Sequence, residues 1–88
     1  MTNGKLHPDA PRIVLQRFVR EAKKSGLTQE AIATAVGERS DSFSKTLNGA
    51  PSYALNSPLI IQVLNVIGRD FLDFAKAVEI ESIKLYAG

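Results

Sequence analysis

The feature that most constrains the fold is residues 27–49, LTQEAIATAVGERSDSFSKTLNG, whose pattern predicts a helix, a tight turn and a second helix. Thr28 is a good N-cap for the first helix, because its hydroxyl can accept a bond from an otherwise unpaired backbone N–H. Ile32, Ala35 and Val36 follow one another at i, i+3 and i+4, which places them on one face of that helix. Gly37 then ends the helix, since glycine adopts a positive φ at little steric cost.

The second helix of this stretch is predicted over Ser40–Leu47. Ser40 is expected to cap it, and Phe43 and Leu47 lie four residues apart on its inner face. The dipeptide Asn48-Gly49 is a strong stop signal. Two short helices that are joined by a glycine turn and share an apolar inner face are typical of a helix-turn-helix motif.

These residues resemble the Cro and phage-repressor type of helix-turn-helix DNA-binding domain, the XRE-like family. The resemblance covers roughly residues 11–78 and rests on Leu27-Thr28-Gln29-Glu30, Ile32-Ala33, Val36-Gly37, Phe43 and Leu47-Asn48-Gly49. It implies an all-α domain of five helices, in which the second helix of the motif enters a DNA major groove. The chain departs from the family pattern at Glu38, where a buried aliphatic residue is usual, and at Thr46, where a larger apolar residue is common. An irregular turn, or a second helix that starts later or lies at a shifted angle, would follow from these departures.

With Phe43 and Leu47 pointing inward, the side chains left to face the groove are Arg39, Ser40, Asp41, Ser44 and Lys45. Arg39 and Lys45 can each donate to guanine, and Lys45 can instead contact a phosphate. Ser40 and Ser44 are short and need close approach or a bridging water. Three roles are open to Asp41: accepting from a cytosine amine, pairing with Arg39, or capping the helix.

The resemblance also implies contacts to the DNA backbone. In the family, the glutamine that opens the first helix of the motif bonds a phosphate and braces the next helix, and Gln29 occupies that position. A second phosphate contact is predicted from position alone at Asn48, which lies just past the second helix with free backbone amides nearby. Upstream, Arg17, Arg20 and Lys24 share one helix face. This basic row can run beside the DNA backbone or be only a solvated face, with Arg17 paired to Glu21 four residues on, and the solvated face is favoured.

Three further helices complete the predicted domain. The first is expected over residues 10–25 with Asp9 as its cap, the fourth is expected between the cap Ser57 and Gly68, and the fifth is capped by Asp70. Their spacing predicts these buried residues: Leu15, Phe18, Val19 and Ala22 in the first helix, and Phe71, Phe74, Ala75 and Val78 in the fifth.

Three segments are predicted along the chain: a flexible N-terminal arm over residues 1–9, the helix-turn-helix DNA-binding domain over residues 10–79, and a C-terminal tail over residues 80–88. The tail separates apolar residues by charges, which is compatible with either a helical extension or a short strand, and its apolar side chains suit a dimer contact. In the loop before the fourth helix, Tyr53 and Leu55 can cover the core, and the Tyr53 hydroxyl can alternatively reach a phosphate.

Composition excludes several functions for this chain of 88 residues. There is no cysteine, the one histidine is His7 in the arm, and no glycine-rich phosphate loop follows a strand. We therefore expect no enzymatic activity, no metal and no cofactor. No apolar run reaches the roughly 20 residues that span a bilayer, and the polar N-terminus does not resemble a secretion signal, so a cytoplasmic protein that does not contact membranes is predicted.

The charge is unevenly distributed and suits a DNA-facing half. Residues 1–49 carry eight Lys and Arg against five acids, whereas residues 50–88 carry three against four. We therefore predict a sequence-specific regulator of transcription that binds double-stranded DNA as a homodimer, of the bacterial or phage repressor kind. The alternative is a protein-interaction module or antitoxin-like adaptor that keeps the fold and binds a partner protein through its apolar C-terminal half.

Overall fold

The computed structural model describes residues 6–88 of the chain. This range contains five α-helices joined by loops, and no strand. The helices are α1 (Ala10–Lys24), α2 (Gln29–Ala35), α3 (Ser40–Leu47), α4 (Ser57–Ile67) and α5 (Phe71–Ala87). The predicted all-α class with five helices is confirmed. Of the two conformations expected for the C-terminal tail, the helical extension is correct, because α5 continues without a break to Ala87.

The turn between α2 and α3 is a regular glycine cap. Gly37 has φ +78°, its N–H donates to the Thr34 carbonyl at 3.1 Å, and the Glu38 N–H donates to the Ala33 carbonyl at 2.8 Å. These two bonds are the Schellman arrangement that satisfies the last carbonyls of a helix. At the other end of α2, the Thr28 hydroxyl accepts from the Ala31 N–H at 3.1 Å, as predicted. The irregular turn that the departure at Glu38 suggested does not occur.

Two predicted N-caps are wrong. Asp9 has helical backbone angles, φ −88° and ψ −11°, and its side chain caps nothing; its own N–H donates to His7 Nδ1 at 3.1 Å. Ser40 is already inside α3, and the extended residue before the helix is Arg39, whose side chain makes no cap bond. Asp41 does not cap α3 either. The first backbone N–H groups of α3 therefore have no side-chain cap.

The cap of α4 is displaced by one residue from its predicted position. Asn56, in an extended conformation, accepts from the Leu59 N–H at 2.9 Å, and Ser57 is the first residue of the helix. Asn56 and Ser57 are both good capping residues, so the sequence alone favours neither. The prediction for α5 is confirmed, because the Asp70 carboxylate accepts from the Leu72 N–H at 3.0 Å.

The core is built mainly from α1, with the other helices packed around it. Leu15, Phe18 and Val19 are buried as predicted, and Ala22 is partly buried. The remaining buried apolar residues are Ala10, Val14, Ile32, Ala33, Phe43, Leu47, Leu59, Val63, Leu64, Phe74 and Val78. In the loop before α4, Leu55 packs against this core. This contact agrees with the prediction that Leu55 can cover the core.

The buried face of α5 differs from the predicted one. Phe74 and Val78 are buried, but Phe71 is 53% exposed and Ala75 is also exposed. The buried face instead continues to Ser82, whose hydroxyl accepts from the His7 N–H at 3.0 Å. The buried residues of α5 therefore begin at Phe74, after the first turn, and extend one turn beyond Val78.

His7 lies at the end of the segment predicted to be a flexible arm, and it packs on the C-terminal part of α5. Its ring centroid lies 4.9 Å from that of Tyr86, and the Tyr86 hydroxyl donates to the Leu6 carbonyl at 3.4 Å. Residues 1–5 of the predicted arm lie outside the described residues.

Two ion pairs link distant parts of the chain and replace the predicted local pair of Arg17 with Glu21. Arg17 pairs with Glu81 on α5 at 3.2 Å, and Glu21 pairs with Arg69, before α5, at 3.0 Å. The Arg69 guanidinium also lies 3.7 Å from the centroid of the Phe18 ring. One pair connects α1 to α5, and the other connects α1 to the loop just before α5.

Replacing Arg17 by alanine should destabilise the fold by about 1 kcal/mol, because the Glu81 carboxylate would then lack its partner. The side chain of Glu81 is only 14% exposed, whereas that of Arg17 is 39% exposed, so solvent screening keeps the effect modest. Urea denaturation measures the change. Lys24→Ala, at an exposed position on the same helix, should remain within about 0.5 kcal/mol of the wild type. Equal stability of the two variants would contradict the account.

Candidate nucleic-acid interface

The α3 helix buries one face and presents the other to solvent. Phe43, Thr46 and Leu47 are buried against the rest of the domain. The exposed side chains among the predicted DNA contacts are Arg39, Ser40, Asp41, Lys45 and Asn48, whereas Ser44 and Gln29 are half-buried. The side chains predicted to face a groove therefore do lie on the solvent side of α3 or just before it.

Thr46, which departs from the family pattern, is accommodated within the regular helix. It is 5% exposed, and its hydroxyl donates to the Ser42 carbonyl one turn earlier at 3.0 Å. That bond satisfies the buried Thr46 hydroxyl, a polar group that the apolar residue common in the family would not have. The helix begins at Ser40, so the later start that Thr46 and Glu38 suggested is not found.

Arg39 and Asp41 form an ion pair at the N-terminal end of α3. The distance from Arg39 Nε to Asp41 Oδ1 is 3.3 Å, and the side chains are 83% and 60% exposed. Of the roles open to Asp41, the structure contains the pair with Arg39. Because both groups are so exposed, the pair is weak, and Arg39 can leave it for another acceptor at little cost.

A short chain of side-chain hydrogen bonds fixes the C-terminal end of α3. Gln16 on α1 donates from Nε2 to Asn48 Oδ1 at 3.2 Å, and Asn48 Nδ2 donates to Ser44 Oγ at 3.4 Å. Asn48 is thereby held in one orientation between α1 and α3. Sequence reasoning did not include Gln16 among the site residues.

A polar cleft of about 230 Å³ lies where α1, the start of α2 and the end of α3 meet. Its lining residues are Gln16, Val19, Arg20, Lys23, Gln29, Leu47 and Asn48. Gln29 and Asn48, predicted separately as phosphate contacts, line this same cleft. Arg20 and Lys23 bring two cationic side chains to it, and no carboxylate is among the lining residues. The cleft therefore suits an anion next to the exposed face of α3.

The basic stripe on α1 differs from the predicted one. Gln16, Arg20 and Lys23 line the cleft, whereas Arg17 turns toward α5. Arg12, Gln16, Arg20 and Lys23 follow one another at intervals of four, four and three residues. This helical spacing was the signal in the sequence that could have identified the stripe. Lys24, in the predicted row, does not line the cleft.

Arg12 reaches the turn after α3. A β-carbon added at Gly49 would lie 2.8 Å from Arg12 Nε, and Gly49 has φ +75°. The absence of a side chain at Gly49 thus lets the Arg12 side chain cover the backbone at the end of α3. This close approach is a second reason, besides the positive φ, for glycine at this position.

Lys45 lies on the exposed face of α3 beside the loop that follows it. Its Nζ is 5.2 Å from the centroid of the Tyr53 ring, a cation–π distance. Tyr53 is half-buried, whereas Lys45 is exposed. For Tyr53, the sequence predicted that the side chain covers the core or reaches a phosphate. The contact with Lys45 was not predicted.

Other kinds of site find no support in the described residues. Residues 6–88 contain no cluster of His, Cys, Asp and Glu that could hold a metal ion. Within the same range, every helix is too short or too polar to cross a bilayer. Comparison of the chain with protein-family models, with curated proteins and with solved structures found no match.

Proposed function

We propose that this protein is a sequence-specific regulator of transcription that binds double-stranded DNA as a homodimer, of the bacterial or phage repressor kind. One observation carries the proposal: α2, the Gly37 turn and α3 present an exposed polar helix face directly beside a carboxylate-free cationic cleft. This is the surface that a helix-turn-helix domain turns toward DNA. The resemblance of residues 11–78 to the Cro and phage-repressor family supports the same function.

In the proposed complex, α3 enters the major groove and reads base edges. Arg39 leaves Asp41 to donate to the O6 and N7 atoms of guanine, and Lys45 donates to a guanine or to the adjoining phosphate. The Asp41 carboxylate is then free to accept from a cytosine amine. Ser40 and Ser44 are close to the same face and act through short contacts or bridging water.

The cleft beside α3 holds a backbone phosphate in this proposal. Gln29 and Asn48 donate from their amides, and Arg20 and Lys23 supply the positive charge that offsets the phosphate. The hydrogen bond from Gln16 orients Asn48 before DNA arrives, so that less freedom is lost on binding. Phosphate contacts of this kind fix the position and angle of α3, and the bases then supply specificity.

Lys45→Ala should weaken binding to a mixed-sequence duplex and make the salt dependence shallower by about one unit, as expected for one lost cationic contact. Fluorescence anisotropy with a labelled duplex, titrated at several salt concentrations, measures both quantities. Non-specific dissociation constants of about 10⁻⁴ to 10⁻⁶ M are within its range.

Lys84→Ala is the matched control for this measurement, because Lys84 is an exposed lysine on α5, a helix that contributes nothing to the cleft. It should leave the salt slope almost unchanged. Binding that responds equally to the two substitutions would contradict the proposed face. Absence of salt-dependent binding would instead favour the alternative, a protein-interaction module.

A further inference from the structure

The free side of α5 carries a stripe of exposed residues with coiled-coil spacing. Leu72, Lys76, Glu79, Ile83 and Tyr86 follow one another at intervals of four, three, four and three residues, which places them along one side of the helix. All five are exposed, and Leu72 and Ile83 are 58% and 63% exposed. We call these five residues the outer stripe.

The outer stripe has no partner within its own chain over most of its length. The helix α5 packs along α1 through Phe74, Val78 and Ser82, which lie on a different side of the helix. Among residues 6–88, neither Lys76 nor Glu79 takes part in an ion pair. Only the Tyr86 end is engaged, by His7 and Leu6.

We infer that the outer stripe binds the outer stripe of a second copy of this chain in an antiparallel pair, with Lys76 of each copy facing Glu79 of the other. This inference rests on the proposed function in one respect, because it supplies the dimer that the proposed DNA reader requires. It names the surface, the direction of pairing and the register.

Charge complementarity selects this occupant and this direction. In an antiparallel pair of heptad stripes, a residue near one end faces a residue near the other end of the partner helix. The register that sets Leu72 against Ile83 of the partner copy also sets Lys76 against Glu79 of the partner copy, twice by symmetry. A parallel pair would instead place Lys76 against Lys76 and Glu79 against Glu79, which like-charge repulsion disfavours.

The charged residues therefore specify the pairing, and the apolar residues supply the affinity. Leu72 and Ile83 form one apolar layer at each end of the central charges, and the exposed Ile80 lies beside them. A polar residue at a core position of a coiled coil typically fixes register and oligomeric state at a cost in stability. We thus expect a reversible dimer whose affinity depends on these two layers.

Sedimentation equilibrium of the full chain without DNA tests the inference. Lys76→Glu should weaken the dimer by about ten- to a hundredfold, because both Lys–Glu contacts become Glu–Glu contacts. Adding Glu79→Lys in the same chain should restore the affinity, since the pairs are then reversed but complementary. Ile83→Asp should abolish the dimer, while circular dichroism should show unchanged helix content because the side chain is exposed.

Lys84→Glu is the charge-matched control, because Lys84 lies on α5 outside the outer stripe, and it should leave the dimer intact. A wild-type chain that is monomeric up to roughly 1 mM would overturn the inference. A dimer unaffected by Lys76→Glu would overturn the antiparallel register. Failure of the proposed function is separately visible. A chain that dimerises but binds no DNA contradicts only the function, whereas a monomer that binds DNA contradicts this inference and the homodimer in the proposed function but leaves DNA binding intact.

Discussion

Phe43→Ala is expected to lower the free energy of unfolding by about 3–5 kcal/mol. Phe43 is fully buried and is the largest side chain that the core encloses completely. It belongs to α3, so its ring packs that helix onto the rest of the domain. A domain of this length has a stability of about 4–13 kcal/mol at 0.05–0.15 kcal/mol per residue, so the variant loses a large share of it.

Thermal or urea unfolding followed by circular dichroism measures this loss, and the chain supplies its own control. Phe71 is the same residue type but is 53% exposed, so Phe71→Ala should cost about 1 kcal/mol or less. Both variants are best compared at low protein concentration, where self-association contributes least. Similar losses for the two phenylalanines would contradict the packing of α3 described above.

The second large effect concerns the cleft. The double variant Arg20→Glu and Lys23→Glu should reduce affinity for duplex DNA by about two powers of ten at low salt and make the salt slope shallower by about two units. Both cations line the cleft that also contains Gln29 and Asn48, and both are exposed at the surface. Their replacement by acids removes two phosphate contacts and adds repulsion without disturbing the core.

The control must change net charge by the same amount at another place. Lys24→Glu with Lys84→Glu does so, because both lysines are exposed and neither lines the cleft. Fluorescence anisotropy should show a much smaller loss for this pair, since only the long-range field is altered. Equal losses for the two double variants would show that overall charge, and not the cleft, governs binding.

Much of the fold could be predicted because its signals are local. The five helices, the cap at Thr28 and the glycine turn at Gly37 each depend on residues within a few positions of one another. The inward positions of Phe43 and Leu47 followed from helical spacing alone. These features define the exposed face of α3, and most of the side chains predicted to face outward are exposed there.

The errors arise where two local signals compete. Asn56 and Ser57 are adjacent capping residues, and the extended backbone at Asn56 decided between them. Along α5, periodicity identified Phe74 and Val78 correctly, but it could not show that Phe71 and Ala75 on neighbouring positions stay exposed.

The remaining features depend on distant parts of the chain. Arg17 and Glu81 are 64 residues apart, and no sequence pattern pairs them. The cleft draws its residues from three helices, so the role of Gln16 emerges only when α1 and α3 are placed together. Helix propensities and spacing carry no information about such pairs.

Selection of bound sequences from a random pool of duplex DNA tests the central claim most directly. We expect enrichment of an inverted repeat with half-site centres about 34 Å apart, or a multiple of that spacing, because two copies of α3 would enter successive major grooves on one side of the duplex. Binding to the selected sequence should weaken steeply with salt. A pool that shows no enrichment, with little binding even at low salt, would contradict the account.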